Sequence, residues 1–126
     1  MGIAPSAKVI AIVCTSNRES ATLFYRDMLG FALAHEDDFA AVFDIGGTIL
    51  RVSTVEGFKP HEHAVLGWQV PDIVAGVKAL AAKGVTFNIY EGFGQDALGI
   101  WNAPGGGAKV AWFKDPDGNV LSLAQF

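Results

Sequence analysis

The stretch WFKDPDGNVLSL, residues 112–123, places two apolar runs on either side of a cluster of Asp, Pro, Gly and Asn. These four residue types favour tight turns, and the flanking runs contain residues that favour strands. The stretch therefore predicts a strand, a sharp turn at 115–119 and a second strand close to the end of the sequence.

The first half of the sequence predicts one strand, one helix and three short strands. Residues 8–16 are rich in β-branched side chains, and the apolar spacing of residues 17–29 predicts a helix that ends at Gly30. Ser16 and Glu19 match a capping box at the start of this helix. Three short strand-like runs separated by turn residues follow.

The second half repeats this order after a polar connection at 55–63. A strand is followed by a helix predicted at 73–83, with Asp72 as its cap and Gly84 as its stop. Short strand-like runs then follow, beginning with TFNIYEG at residues 86–92. The repeated order of elements indicates a duplicated module.

The sequence thus predicts an α+β fold in a single domain over residues 1–126. It contains two βαβββ modules, at about 7–57 and 64–126, with about eight strands in all. A chain of 126 residues with 51% hydrophobic and 17% charged residues is long and apolar enough to bury one core.

Composition narrows the class of partner. The net charge is −4 and no run of Lys or Arg occurs, so we expect no nucleic acid and no membrane partner, and a small-molecule ligand is predicted. No apolar run approaches the roughly 18 residues of a membrane span. Cys14 is the only cysteine, which excludes an internal disulfide and favours a cytoplasmic location.

Three stretches resemble the vicinal oxygen chelate superfamily, which includes glyoxalase I, the bleomycin-resistance proteins and the extradiol dioxygenases. They are FYRDMLGF at 24–31, GWQVPDI at 67–73 and WFKDPDGNVLSL at 112–123. The resemblance implies that the paired modules curve into an incomplete barrel around a cavity, with the helices outside. It also implies a homodimer.

Metal-dependent members of this superfamily hold their ion with His or Gln and Glu side chains on the first and last strands of each module. The resemblance places these four positions at Ile10, Arg51, Val65 and Ser122. Ile and Val offer no lone pair, a Ser hydroxyl is a poor ligand, and a guanidinium is a fixed cation. The sequence therefore predicts no metal and no cofactor.

Strand alternation places a mostly apolar set of side chains on the implied cavity face. These are Ile10, Ile12, Ile49, Val65, Gln69 and Ser122. Arg51 would stand among them with a full charge that needs an anionic partner. That partner is either a protein carboxylate such as Asp44 or Glu36, or an acidic group on a ligand.

Further candidates are histidines and tryptophans. Alternation puts His63 on the face of Val65, at the mouth of the pocket, although a solvated loop is favoured for His61 and His63 over a pair that binds a transition metal. Trp101 and Trp112 are candidates for stacking on a planar ligand, and a core position is the alternative for both. Trp68 is predicted to face the helix layer.

Two functions follow. The first is a binding protein similar to the bleomycin-resistance proteins, without the metal ligands, whose cavity takes an aromatic or anionic organic molecule. The second is a glyoxalase-like lyase or isomerase, or a dioxygenase, with displaced or absent metal ligands, in which Arg51 stabilises an oxyanion and His63 moves a proton. Whether the protein is an enzyme stays open at this point, and no catalytic residue is predicted.

Overall fold

The structure is a computed structural model that describes residues 2–126. The described residues form two compact units, the first ending at Phe58 and the second spanning Lys59–Phe126. Each unit carries one βαβββ module with a four-stranded mixed sheet, so the predicted α+β fold with two modules and eight strands is confirmed. That they form a single domain over residues 1–126 stays a prediction, and its first residue lies outside the described range.

The first module contains four strands and one helix. They are β1 (Ile10–Thr15), α1 (Arg18–Leu23), which continues as a π-helical segment (Phe24–Met28), β2 (Ala32–Glu36), β3 (Ala40–Asp44) and β4 (Ile49–Thr54). The sheet order is β1-β4-β3-β2, in which β1 runs parallel to β4 and the other neighbours are antiparallel.

The start of α1 differs from the prediction. Asn17, not Ser16, caps the helix, and its side-chain oxygen accepts a hydrogen bond from the Ser20 N–H at 3.2 Å. Asn17 is held in this position by Thr15, whose hydroxyl oxygen accepts from the Asn17 N–H at 3.0 Å. The predicted capping box is therefore wrong by one residue, whereas Gly30 follows the helical stretch as expected, with φ +80°.

The helical stretch of the first module packs on one face of its sheet. Tyr25 is fully buried, and its ring lies 6.0 Å from that of Phe43 on β3. Leu50 and Val52 on β4 are buried in the same way. Residues of the opposite phase on β1 and β4 therefore project from the other face of the sheet.

The second module also contains four strands and one helix. They are β5 (Ala64–Gln69), α2 (Ile73–Ala82), β6 (Trp101–Asn102), β7 (Lys109–Lys114) and β8 (Val120–Gln125). The sheet order is β5-β8-β7-β6, with β5 parallel to β8. Asp72 caps α2 as predicted, accepting from the Ala75 N–H at 3.1 Å, and Gly84 follows it with φ +101°.

Neither helix spans a membrane. Over residues 2–126, no helix is both long and apolar enough to do so.

The strand predicted at residues 86–92 is not formed. Within it, pairing is limited to an isolated bridge between Phe87 and Phe113 on β7. The alternating apolar residues of this stretch favoured a strand. Hydrogen bonds from a nearby side chain instead satisfy backbone groups that would otherwise pair with a neighbouring strand.

That side chain is Gln95. Its amide nitrogen donates to the carbonyl oxygens of Asn88 and Gly99, both at 2.8 Å, and its oxygen accepts from the Tyr90 N–H at 2.7 Å. One amide thus satisfies three backbone groups that a sheet would otherwise pair. We call residues 88–100 the Gln95 loop.

The turn between β7 and β8 is built around the buried carboxylate of Asp115. One of its oxygens accepts from the N–H groups of Asp117 and Asn119, both at 2.9 Å, and the other accepts from the Asn119 side-chain amide at 2.8 Å. Gly118 adopts φ +90°, which strongly favours glycine. The sharp turn predicted at 115–119 is confirmed.

We expect Asp115→Ala to lower the free energy of unfolding by about 2–4 kcal/mol, because the substitution leaves buried amide groups without an acceptor. Urea denaturation at neutral pH measures the loss. Asp44→Ala is the matched control, since Asp44 accepts from the N–H groups of Gly46 and Gly47 in an exposed turn, and it should cost about 1 kcal/mol or less. Equal losses in the two variants would contradict this account.

Candidate functional site

The first candidate surface is the face of the first sheet that points away from α1. Register places Ile10 opposite Ile49 and Ile12 opposite Arg51 on neighbouring strands. The three isoleucines are 54%, 59% and 48% exposed for Ile10, Ile12 and Ile49. The structure thus brings these predicted residues together as an apolar surface around one cation.

The cation on this surface has a protein partner. The guanidinium of Arg51 lies 3.3 Å from a carboxylate oxygen of Asp37. The partner is therefore neither Asp44 nor Glu36, the two carboxylates expected from the sequence. Asp37 lies in the turn between β2 and β3, directly after Glu36, and its ion pair with Arg51 compensates the charge of the guanidinium without a ligand.

Asp37 is held by more than the ion pair. Its carboxylate accepts from the N–H groups of Phe39 and Ala40, both at 2.8 Å. These two hydrogen bonds, and then the Arg51 guanidinium, lower the pKa of Asp37 below its ordinary value. Arg18 on α1 also donates to the Asp37 carbonyl oxygen, which ties the turn to the helix.

The lowered pKa sets the sign of a pH dependence. A carboxyl group with a depressed folded-state pKa stabilises the protein above its unfolded pKa of roughly 3.9, and this contribution is lost as the pH falls through the folded-state value. Asp37→Asn should therefore be less stable than the wild type at neutral pH, with the difference shrinking below about pH 4.

Urea denaturation from about pH 6 down to about pH 2 measures this difference. Asp38→Asn is the control, because it removes the same charge at a carboxylate that makes no hydrogen bond within the described part of the chain. A difference for Asp37→Asn that stays constant over the whole range would refute the linkage.

The second candidate surface is an aromatic cluster in the second module, which we define as Tyr90, Phe93, Trp101 and Trp112. Trp112 is central, with ring centroids 5.6 Å from Tyr90, 5.9 Å from Phe93 and 6.0 Å from Trp101. Tyr90 and Phe93 meet edge-on with Trp112, which is a favourable geometry for aromatic rings. The sequence identified both tryptophans, but not the other two members.

Tyr90 was missed because it lies in the predicted strand at 86–92, and Phe93 follows directly after that stretch. In the Gln95 loop both rings reach Trp112 from outside the sheet. The signal in the sequence is the spacing of Gly92, Gly94 and Gly99 around Gln95, which indicates a loop but does not specify which backbone groups the amide binds.

The aromatic cluster lies on the same sheet face as the predicted residues of β5 and β8. Trp112 on β7 is opposite Ser122 on β8, which is in turn opposite Gly67 on β5, and Gln69 follows on the same face. A Cβ atom at position 67 would lie 2.5 Å from the Ser122 hydroxyl oxygen and 3.3 Å from the Ser122 carbonyl oxygen, so a side chain there would have to displace the hydroxyl. Trp68 points to the opposite face and is half-buried.

A β-bulge in β5 lies between His63 and the regular part of the strand. The register of β5 shifts between Ala64 and Leu66, so period-two alternation does not carry from Val65 back to His63. His63 nevertheless lines a pocket of about 290 Å³, and its ring stacks on that of His61 at 5.1 Å. We call this the aromatic pocket; it is lined by Glu62, His63, Ala64, Tyr90, Phe93, Trp112 and Val120.

A second pocket adjoins the aromatic pocket. It has a volume of about 510 Å³, and we call it the lysine pocket. Its lining residues are Pro60, His61, Glu62, Tyr90, Lys114, Gly118 and Val120. Glu62, Tyr90 and Val120 line both pockets, so they form a shared wall.

Among residues 2–126, no group of three or more His, Cys, Asp or Glu side chains is placed to hold a metal ion.

The family model described as the Glyoxalase/Bleomycin resistance protein/Dioxygenase superfamily matches residues 8–123. The chain belongs to this superfamily. The resemblance stated from three short stretches is therefore confirmed over nearly the whole sequence. The positions Ile10, Arg51, Val65 and Ser122 as counterparts of the metal ligands stay predictions, as does the homodimer.

Solved structures show the same fold. A glyoxalase family protein from Enterococcus faecalis is 20% identical with a TM-score of 0.75, covering 95% of this chain and 98% of its own. Lactoylglutathione lyase from Agrobacterium tumefaciens is 14% identical with a TM-score of 0.73, covering 97% and 95%. TnmS3, an antibiotic binding protein from Streptomyces sp. CB03234, is 24% identical with a TM-score of 0.67, covering 95% and 97%.

No curated protein matches the sequence. At these identities the solved structures establish the fold, and the activity of each belongs to that protein alone.

Proposed function

We propose that this protein binds a planar aromatic small molecule at the aromatic cluster, without a metal at the four superfamily positions. The observation that carries the proposal is the aromatic pocket, in which Tyr90, Phe93 and Trp112 line one concave space. Small-molecule sites are concave and mostly apolar, with a few polar groups that fix orientation. Glu62 and His63 supply such groups at this pocket.

Hydrogen bonds within the chain hold the loop that carries two walls of the pocket. Gln95 binds three backbone groups of its loop, and the Tyr90 hydroxyl accepts from the Asn88 side-chain amide at 3.0 Å. A loop that is already ordered loses little conformational entropy when a ligand binds. The antibiotic-binding neighbour, TnmS3, shows that this fold hosts binding proteins as well as enzymes.

The aromatic cluster is favoured over Arg51 as the principal ligand site. Arg51 already has Asp37 as a partner, so an anion at the first module would have to compete with an existing ion pair. The neighbours of Arg51 on this face that strand register identifies are Ile12 and Ile49, and aliphatic side chains do not stack on a planar ligand as aromatic rings do. Of the two ligand classes expected from the sequence, aromatic or anionic, the proposal therefore chooses an aromatic ligand bound at the second module.

The metal-free part of the proposal follows from the chemistry of the side chains. Ile10 and Val65 offer no donor atom, the Ser122 hydroxyl is a poor ligand, and the Arg51 guanidinium is a fixed cation, so these four side chains do not form the donor set that a divalent ion requires. The lyase and dioxygenase alternatives would need ligands at other positions, and no specific observation favours such a set.

We expect elemental analysis of the purified protein to find no stoichiometric zinc, nickel, iron or manganese. A chelator should leave its melting temperature unchanged, because no metal-binding free energy is coupled to folding. One metal ion per chain, together with a fall in melting temperature after chelation, would contradict the proposal and favour the enzyme alternative.

Binding itself is tested with naphthamide, an uncharged planar probe, by calorimetry. Phe93→Ala should weaken naphthamide binding by about fivefold to tenfold, since a lost aromatic contact is worth about 1 kcal/mol. Phe93 is 48% exposed, so the substitution should leave the fold intact.

Phe39→Ala is the matched control for Phe93→Ala. Phe39 is a 72% exposed phenylalanine in the first module, and its removal should leave naphthamide binding unchanged. Absence of naphthamide binding to the wild-type protein, or an equal effect of the two substitutions, would refute the proposed function.

A further inference from the structure

The aromatic pocket and the lysine pocket share one wall, formed by Glu62, Tyr90 and Val120. A molecule seated on the aromatic cluster can therefore extend into the lysine pocket. We infer that the ligand of the aromatic cluster is a planar aromatic acid, whose acidic group is held in the lysine pocket by Lys114 and the Tyr90 hydroxyl. This inference rests on the proposed function and specifies the class of its ligand.

Lys114 is placed to reach such a ligand. It lies two residues after Trp112 on β7, so both side chains project from the same face of the sheet, about 7 Å apart along the strand. Two fused rings carrying a carboxylate can span this distance. Lys114 is exposed, and its ammonium group makes no hydrogen bond or ion pair within residues 2–126, so its charge is available.

Tyr90 supplies a second donor at the shared wall. Its hydroxyl oxygen accepts from the Asn88 amide at 3.0 Å, which fixes the phenol in position. A phenol has one proton to donate, and no acceptor for it is present in the described part of the chain. The proton is therefore available to a ligand oxygen in either pocket.

The remaining polar groups of the two pockets are His61, His63 and Glu62. A neutral imidazole offers one donor and one acceptor, so the histidines favour neither kind of ligand group, and Glu62 is the single carboxylate that lines the pockets. The three donors of the Lys114 ammonium and the free proton of the Tyr90 hydroxyl favour an acceptor group on the ligand. The negative charge of Glu62 repels an anion, so removing this charge should strengthen the binding of an anionic ligand.

Three probes with the same ring system but different charges show how much the charge of the ligand contributes to its affinity. They are naphthoate, neutral naphthamide and (naphthylmethyl)ammonium, each titrated into the full-length protein by calorimetry at low and high salt. The wild-type protein should bind naphthoate about fivefold more tightly than naphthamide and the ammonium probe most weakly, and added salt should reduce the preference for naphthoate.

Substitutions then locate the charge. Lys114→Met should remove the preference for naphthoate, a loss of about fivefold, and leave naphthamide binding unchanged. Glu62→Gln should tighten naphthoate binding, because it removes the opposing charge without changing the shape of the wall. Lys109→Met is the matched control, since Lys109 lies on the same strand but projects from the opposite face.

The results distinguish failure of the inferred acidic group from failure of the proposed function. If naphthamide binds at the cluster but naphthoate binds no more tightly, or if the ammonium probe binds best, the inference is overturned and the proposed function stands. An equal effect of Lys109→Met and Lys114→Met on naphthoate also overturns the inference. If naphthamide does not bind, the proposed function and the inference that rests on it fail together.

Discussion

The second module depends on the buried carboxylate of Asp115. Its hydrogen bonds to the amides of Asp117 and Asn119 close the turn that joins β7 to β8. β8 is a central strand that pairs with both β5 and β7, so the position of this turn sets the register of three strands. That register places Trp112 opposite Ser122, and it places Lys114 at the end of the strand beside the shared wall of the pockets.

The first module uses a carboxylate in a different way. Asp37 accepts two backbone N–H groups in an exposed turn and also pairs with Arg51 across the face of the sheet. Because this pair is partly exposed, its contribution is modest, and its main effect is to satisfy a cation on an otherwise apolar surface. The two modules thus share a topology, but the faces of their sheets differ in chemistry, since one carries isoleucines around an ion pair and the other carries aromatic rings.

Much of the fold could be predicted from the sequence, because each element has a strong local signal. The turn residues at 115–119, the Asp72 cap and the glycines after each helix reflect short-range conformational preferences, and the structure contains all of them. The cap of α1 was displaced by one residue since Thr15, from the preceding strand, holds Asn17 in place.

The candidate site was harder to predict, because it depends on contacts between residues that are distant in sequence. Trp101 and Trp112 could be identified as candidates by residue type, but their neighbour Tyr90 lies in a stretch whose alternation favours a strand, and Phe93 directly follows it. The partner of Arg51 was missed for a similar reason, since strand alternation does not position a turn residue such as Asp37.

The Gln95 loop has a consequence for motion. Its backbone is held together by three hydrogen bonds to one side-chain amide, and it meets β7 through one backbone hydrogen bond, from the Asn88 N–H to the Trp112 carbonyl oxygen at 2.7 Å. Breaking these four bonds would release the segment that carries Tyr90 and Phe93 without separating β7 from β8, so this segment can open at a free energy below that of global unfolding. Amide protons around Tyr90 would then exchange with solvent as a group, earlier than those of β8, and the rate at which a ligand enters would follow the opening of this loop.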